Sequence, residues 1–459
     1  MVRGRSTRRA GAAASAASGP VTAAEQSTTP PAVTNLRPRR VELGLVVMVS
    51  MVVVFAYGLA SLGRNAELPA DIRPFLVGTL GLFFFIHFAV RRLAFAADPV
   101  LVPTALLLNG IGYVMIARLG SDVAGGGDLA GLQSLWTGVG VMAFVITLVI
   151  VPKARALAGY RYLLGLAGIV LLALPLVPGI GVDIRGARIW VSIGPVNFQP
   201  GEFAKIALAI FFAGYLVESR DLIRNRIELR DLAPIGIAWV ASVGIMVFER
   251  DLGSSLLFFA LFVVLMWVAT ERSSFLALGL FLFGGGAIVA WRLFDHVQAR
   301  IDGWLDPFAD FSGDGYQIAQ ASFSLAEGGL TGTGLGRGDP DRVPIAESDF
   351  IFAAIGEEMG LAGSTAILMA FLLIVGSGLR IAIRATRPFE KLLTVGLTTL
   401  IGLQAFIIIG GVIRLVPLTG ITLPFVSYGG SALVTNYIVL ALLIRLSHEQ
   451  RAAEPEVVQ

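Results

Sequence analysis

Apolar runs of membrane-spanning length repeat along this chain, opening near Leu43, Pro74, Pro99, Leu132, Gly159, Phe203, Leu232, Leu252, Phe275, Phe350, Leu392 and Ser431. A helix needs roughly 20 apolar residues to cross a bilayer, because lipid offers no hydrogen bonds and the backbone must satisfy itself. The pattern predicts an all-α, polytopic membrane bundle of about twelve transmembrane helices. Polar sequence gathers between the runs, at 178–202, in the Glu249–Asp251 turn, across 293–349 and across 413–430. Residues 1–40 are rich in Ala, Ser, Thr and Pro and carry Arg3, Arg5, Arg8, Arg9, Arg37, Arg39 and Arg40. That stretch predicts a disordered basic arm, not a signal peptide.

Basic residues fix an orientation. Arg91 and Arg92, then Lys153 and Arg155, then Arg220, Arg224, Arg226 and Arg230, then Arg380, Arg384, Arg387 and Lys391 fall on alternate sides. The positive-inside rule puts both termini in the cytoplasm and all four polar segments on the outer face. A site there has no access to cytoplasmic ATP. The run GGLTGTGLGRG resembles a phosphate loop only in its glycines, since no Lys-Ser/Thr follows it.

Composition narrows the chemistry further. The chain of 459 residues is 56% hydrophobic with a net charge of +3. It has no cysteine, so thiol nucleophiles, disulfides and Fe–S centres are excluded. His87, His296 and His448 are too scattered for a histidine metal cluster, and no nucleic-acid partner is expected.

Five constellations carry candidate chemistry. In GARIWVSIGPVNFQPGEFAK, Arg185, Arg188 and Trp190 precede a turn before Pro200 and Glu202 open a helix. Lys205 lies one turn in, where an ionisable group is costly and marks either an ion pair with Glu202 or an anion-binding site. Both readings stand. Asp251 is placed to cap the helix beginning at Leu252, which is compatible with a place in a cavity. The stretch 305–336 sets Asp306, Asp310 and Asp314 four residues apart, then Tyr316 and Gln317, without the ligand order of an EF-hand. One of the three aspartates suits a general base, and the others suit turns. Finally, Asp349, Glu357 and Glu358 flank the start of one span. Arg414 opens a Pro/Gly-rich segment, 414–432, that reads as a cavity wall.

These motifs, GAR-x-W, FQPGEFAK, DLGSSLL, DPFADFSGDGYQ, SDFIFAAIGEE and PLTGITLPFVSYGGS, resemble in sequence and order the SEDS family of shape, elongation, division and sporulation proteins. GGVIRLVPLTG is similar to the RodA branch rather than the FtsW branch. The resemblance covers residues 98–447. It implies a SEDS membrane domain there, two additional N-terminal helices over 41–97 and a cytoplasmic tail over 448–459. Gly201 and Glu249-Arg250 depart from the family pattern at positions where other residues are usual.

The resemblance further implies a peptidoglycan glycosyltransferase that polymerises lipid II at the outer face of the plasma membrane. Its role would be cell-wall elongation and cell shape, and it would work with a class B penicillin-binding protein. Asp310 then corresponds to the family's proposed catalytic base. Arg188, Lys205, Glu202, Asp251, Gln317 and Arg414 would serve substrate binding. A divalent cation, magnesium or manganese, would suit the pyrophosphate, although no ligand spacing defines one. The chain lacks Ser-x-x-Lys and Lys-Thr-Gly, so crosslinking would fall to the partner. The rival is a lipid II flippase, which broken membrane segments would also suit, but no internal repeat is evident.

Overall fold

The computed structural model describes residues 37–67, 72–120, 128–184, 186–194, 196–219, 229–313 and 315–453. The arm up to residue 36, Arg185, the cluster Arg220, Arg224 and Arg226, Asp314 and the tail beyond 453 lie outside them. The helices are α1 (Arg37–Asn65), α2 (Ile72–Leu93), α3 (Leu101–Gly120), α4 (Leu129–Ile150), α5 (Arg161–Ala173), α6 (Pro200–Glu218) and α7 (Leu229–Phe248). They continue as α8 (Leu252–Thr270), α9 (Ser274–Leu293), α10 (Asp295–Leu305), α11 (Tyr316–Gly328), α12 (Ile351–Arg384), α13 (Pro388–Val412) and α14 (Gly430–Ala453).

Eleven helical segments are long and apolar enough to cross a membrane among the described residues, with α5 extended by 3₁₀ turns over Ala154–Leu176. The twelfth expected position is held by α7, whose apolar stretch Leu232–Phe248 is shorter. The chain is a multi-pass membrane protein. Its helices α3, α6, α13 and α14 are mostly buried, while α9 presents nearly all its surface to the surroundings.

Buried ionisable groups inside these spans find polar partners in two instructive cases, since hydrocarbon offers none. His87 of α2 and Glu42 of α1 hydrogen-bond at 2.8 Å and join the first hairpin. Arg445 of α14 donates to the carbonyls of Leu93 and Leu148, at the ends of α2 and α4. It satisfies backbone acceptors that a helix C-terminus leaves open.

The glycine-rich stretch has a structural task. Helix α12 is broken at Gly360, which adopts φ 65° and ψ −165°. The break frees backbone groups that the chain 329–334 then pairs. Thr333 and Gly334 donate to the carbonyls of Glu357 and Glu358, and Leu361 and Ala362 donate to those of Gly329 and Leu330. A Cβ at Gly360 would collide with the backbone of Gly332. The loop is a backbone plug for a broken helix, which is how irregular chain survives at membrane depth.

Two expectations change. The turn expected around Arg188 is a three-stranded antiparallel sheet, β1 (Gly181–Ile184), β2 (Ala187–Ile193) and β3 (Val196–Phe198), in the order β1-β2-β3. Gly186 (φ 80°) and Gly194 (φ 62°) turn the chain between strands. The polar region 293–349 is not a continuous loop, because it contains the short helices α10 and α11.

Candidate active site

Segment 413–430 receives contacts from two sides of the candidate site, from α6 through Gln404 and from α10 through Arg300 and Trp304. From one side comes α6. Its Lys205 ammonium lies 2.8 Å from both carboxylate oxygens of Glu202, and both side chains are about 5% exposed. Lys205 also reaches Gln404 Oε1 at 3.4 Å, and Gln404 Nε2 donates to the Thr422 carbonyl at 2.7 Å. Of the two readings of Lys205, the ion pair is the one this geometry holds. An incoming anion would have to compete with Glu202 for the ammonium.

From a second side comes the sheet. The Arg188 backbone N–H donates to the carbonyl of Glu249 at 3.2 Å, laying β2 against the turn between α7 and α8. Arg188 itself is half-buried, and its guanidinium has no carboxylate partner among the described residues. In the same turn Asp251 caps α8, accepting from the Ser254 N–H at 2.9 Å. Glu249 is 4% exposed, and its Oε1 has no hydrogen-bond partner among the described residues. Burial, with the Asp251 carboxylate close by, pushes the Glu249 carboxyl up to about 8.

From a third side come α10 and the loop that carries Asp310. Arg300 donates to the Thr419 carbonyl at 2.9 Å. Burial lowers the pKa of Arg300, against the opposing pull of the Asp349 and Asp251 carboxylates. Burial and the nearby Arg300 and Arg250 guanidiniums likewise lower the pKa of His296. Trp304 Nε1 donates to the Arg414 carbonyl at 2.9 Å, and Arg414 Nη2 donates to the carbonyls of Trp304 and Leu305 at 3.1 Å each. Arg414, assigned to substrate from sequence, spends its guanidinium on the chain five residues ahead of Asp310. Its structural role is to brace that loop.

The loop itself is tight and exposed. Gly313 and Gly315 both donate their N–H to the Asp310 carbonyl at 3.2 Å. A Cβ at Gly313 would collide with the Asp310 carboxylate. Asp306 accepts from the Phe308 N–H at 3.1 Å, an Asx turn that gives this aspartate the turn-making part expected of most loop aspartates. Gln317 lies half-buried in the first turn of α11.

Sequence reasoning passed over the clamp on the far side of this loop. Arg118, at the end of α3, donates to Glu358 Oε1 at 3.0 Å and to the Gly338 carbonyl at 2.8 Å, and the Gly336 N–H donates to Glu358 Oε2 at 2.9 Å. Helix α1 closes on the same chain, so tightly that a Cβ at Gly336 would collide with the Ala60 carbonyl. Arg118 ends a long apolar run as an unremarkable basic residue, and nothing local signals its partner. Among the described residues no group of three His, Asp or Glu side chains is arranged to hold a metal.

The chain is similar to known proteins over most of its length. The chain is 46% identical over 439 residues to the peptidoglycan glycosyltransferase RodA of Mycobacterium tuberculosis, covering 93% of each chain. It is 35% identical to the stage V sporulation protein E of Bacillus subtilis, over 77% of this chain and 98% of that one. A chain of a peptidoglycan synthase complex, solved for its coordination of polymerization and crosslinking, superposes with a TM-score of 0.65 at 28% identity, covering 78% of this chain and 99% of that chain. The Thermus thermophilus rod shape determining protein RodA superposes with a TM-score of 0.55 at 26% identity, covering 78% of this chain and 98% of that chain. Residues 99–452 match the cell cycle protein family of FtsW, RodA and SpoVE, and the chain belongs to that family.

Proposed function

We propose that this chain is a peptidoglycan glycosyltransferase that polymerises lipid II into glycan strands at the outer face of the plasma membrane, for cell-wall elongation and cell shape. The observation that carries the reading is the exposed Asp310, on a tight loop braced by Trp304 and Arg414. The 46% identity to a peptidoglycan glycosyltransferase supports the same reaction class.

In the proposed step, the 4-hydroxyl of the acceptor N-acetylglucosamine attacks the anomeric carbon of the pyrophosphate-linked sugar. Asp310 takes the hydroxyl proton as the new glycosidic bond forms. The bond to undecaprenyl pyrophosphate breaks, and the leaving group carries away the electron pair. Arg188 is the cation assigned to that pyrophosphate, with a planar fork suited to two phosphate oxygens. Lys205 would join it only by leaving Glu202. Asp251 and Gln317 line the approach, the first by holding the start of α8 and the second from α11.

The orientation belongs to the same proposal. Arg91, Arg92, Lys153, Arg155 and Lys391 mark the cytoplasmic ends, both termini are cytoplasmic, and the sheet, Asp310 and segment 413–430 face outward. A class B penicillin-binding protein supplies transpeptidation, consistent with a structural relative found in a peptidoglycan synthase complex.

Reconstitution of the purified chain in vesicles with labelled lipid II tests this. Muramidase-sensitive polymer that β-lactams do not suppress is expected, at a rate raised by a single-span transpeptidase partner. Transport of lipid II across the bilayer with no polymer would replace this reading with the flippase.

A further inference from the structure

The two helices ahead of the family region build one wall of a cavity that the proposed chemistry does not use. It measures about 690 Å³, within the roughly 300–1,000 Å³ of ligand sites. Helix α2 lines it from Pro74 to Phe85, α4 with its first turns and α3 with its middle, Asn109, Gly110 and Tyr113. Its room comes from α2. Nothing stands within 4 Å of where a Cβ would sit on Gly78 or Gly81. The wall is firm, because the Phe75 ring clusters with Tyr57 (centroids 4.0 Å apart) and Tyr113 (5.1 Å), which also meet each other at 6.1 Å.

The lining changes character towards α4. Phe75, Phe83 and Phe85 make the apolar side, and Asn109, Ser134, Thr137 and Asp128, whose carboxylate also caps α4 by accepting from the Gly131 N–H at 2.7 Å, make the polar one. Thr137 and Asn109 are 7% and 2% exposed. Asn109 donates to the Phe425 carbonyl at 3.4 Å and accepts from the Tyr437 hydroxyl at 3.3 Å, which leaves an amide hydrogen to give. Among the described residues no lysine or arginine lines the cavity, and the one formal charge among them is the negative Asp128.

We propose that this cavity holds a chain of an uncharged, hydroxyl-bearing glycerolipid, of the diacylglycerol or glycosyl-diacylglycerol class. The aromatic wall takes the acyl chain. Hydroxyls of the headgroup bond to Asp128, Ser134 and Asn109, as an anionic acceptor and neutral amide favour. A phosphate headgroup would face the Asp128 carboxylate with no cation to offset it, so phospholipids and the pyrophosphate-linked substrate are disfavoured. The site is separate from the one containing Arg188 and Asp310.

Photolabelling of the full chain in nanodiscs tests it. Two probes of equal chain length are used, a diazirine diacylglycerol and a diazirine phosphatidic acid, and labelled peptides are mapped by mass spectrometry. The diacylglycerol is expected to label α2 and α4 at least roughly tenfold more than the phosphatidic acid, given the cost of placing like charges together. Gly78→Leu with Gly81→Leu fills the cavity and removes that labelling, while labelling of the exposed α9 surface persists. Ser134→Lys, an exposed change, puts a cation on the rim and inverts the preference. Equal labelling by both probes, labelling that survives the filled variant, or no inversion in Ser134→Lys would overturn the proposal.

Discussion

Trp304 and Arg414 hold one another across 110 residues of sequence: the indole N–H donates to the Arg414 carbonyl at 2.9 Å, and the guanidinium returns a bond to the Trp304 carbonyl at 3.1 Å. The pair fixes the end of α10 to segment 413–430, and Asp310 follows within six residues. A catalytic side chain on a loop depends on such supports for its position.

Arg414→Ala should therefore lower polymerisation while leaving the bundle folded. It removes charge-assisted bonds worth about 1.5–3 kcal/mol each in a well-ordered setting. The expected result is a several-fold fall in kcat, with faster proteolysis between Leu305 and Gly315 and an almost unchanged Tm. Loss of the whole fold would show that Arg414 serves the bundle and not the loop.

Arg188 and Lys205 should separate on mutation. Arg188→Ala removes a cation that has no carboxylate partner among the described residues and should lower turnover with little change in Tm, and Arg188→Lys should restore only part of it because the planar fork is gone. Lys205→Ala leaves the Glu202 carboxylate buried alone, a loss of about 3–5 kcal/mol. It should show first as a lower Tm. Turnover unchanged in Arg188→Ala would remove Arg188 from the substrate site.

Much of the architecture was legible in the sequence because membrane spans are read by length and apolarity, and the twelve positions each carry a helix. The Asp251 cap and the Glu202–Lys205 pair were legible too, being contacts across three residues. The sheet around Arg188 was not. Its strands run from three to seven residues between glycine turns, too short for an alternating pattern to stand out. Contacts such as Trp304 with Arg414 and Arg118 with Glu358 join residues more than a hundred positions apart, and no local spacing announces them. The task of GGLTGTGLGRG became visible only with the break at Gly360, since a glycine run alone does not say which backbone it will pair with.

Glu249 should set a pH dependence of stability. Its carboxyl is raised in the folded protein to about 8 from an ordinary value of 4.5, so the folded state keeps a proton that the unfolded chain releases. Stability is then lost as pH rises from about 4.5 towards 8 and levels off above that. Glu249→Gln removes the ionisation and should flatten this part of the Tm profile, raising Tm most at alkaline pH. Parallel profiles for the two proteins would show that Glu249 is already ionised.

Gly336→Val should loosen the first hairpin from the loop. The residue sits at φ 78° and packs on the Ala60 carbonyl, so a side chain there is both strained and obstructed. A cost of about 1–3 kcal/mol is expected from the backbone conformation alone. Hydrogen exchange across 330–338 should rise while exchange in α13 and α14 stays low. Unchanged exchange across 330–338 would mean that α1 does not restrain the loop.

The most direct test of the account is the rate at which the purified chain converts labelled lipid II into muramidase-sensitive glycan, compared between the native protein and Asp310→Asn, with Asp306→Asn alongside. Loss of a general base predicts a fall of at least roughly a hundredfold for Asp310→Asn, and a milder effect for Asp306→Asn, whose carboxylate turns the chain. Near-normal glycan synthesis by a folded Asp310→Asn protein would contradict it.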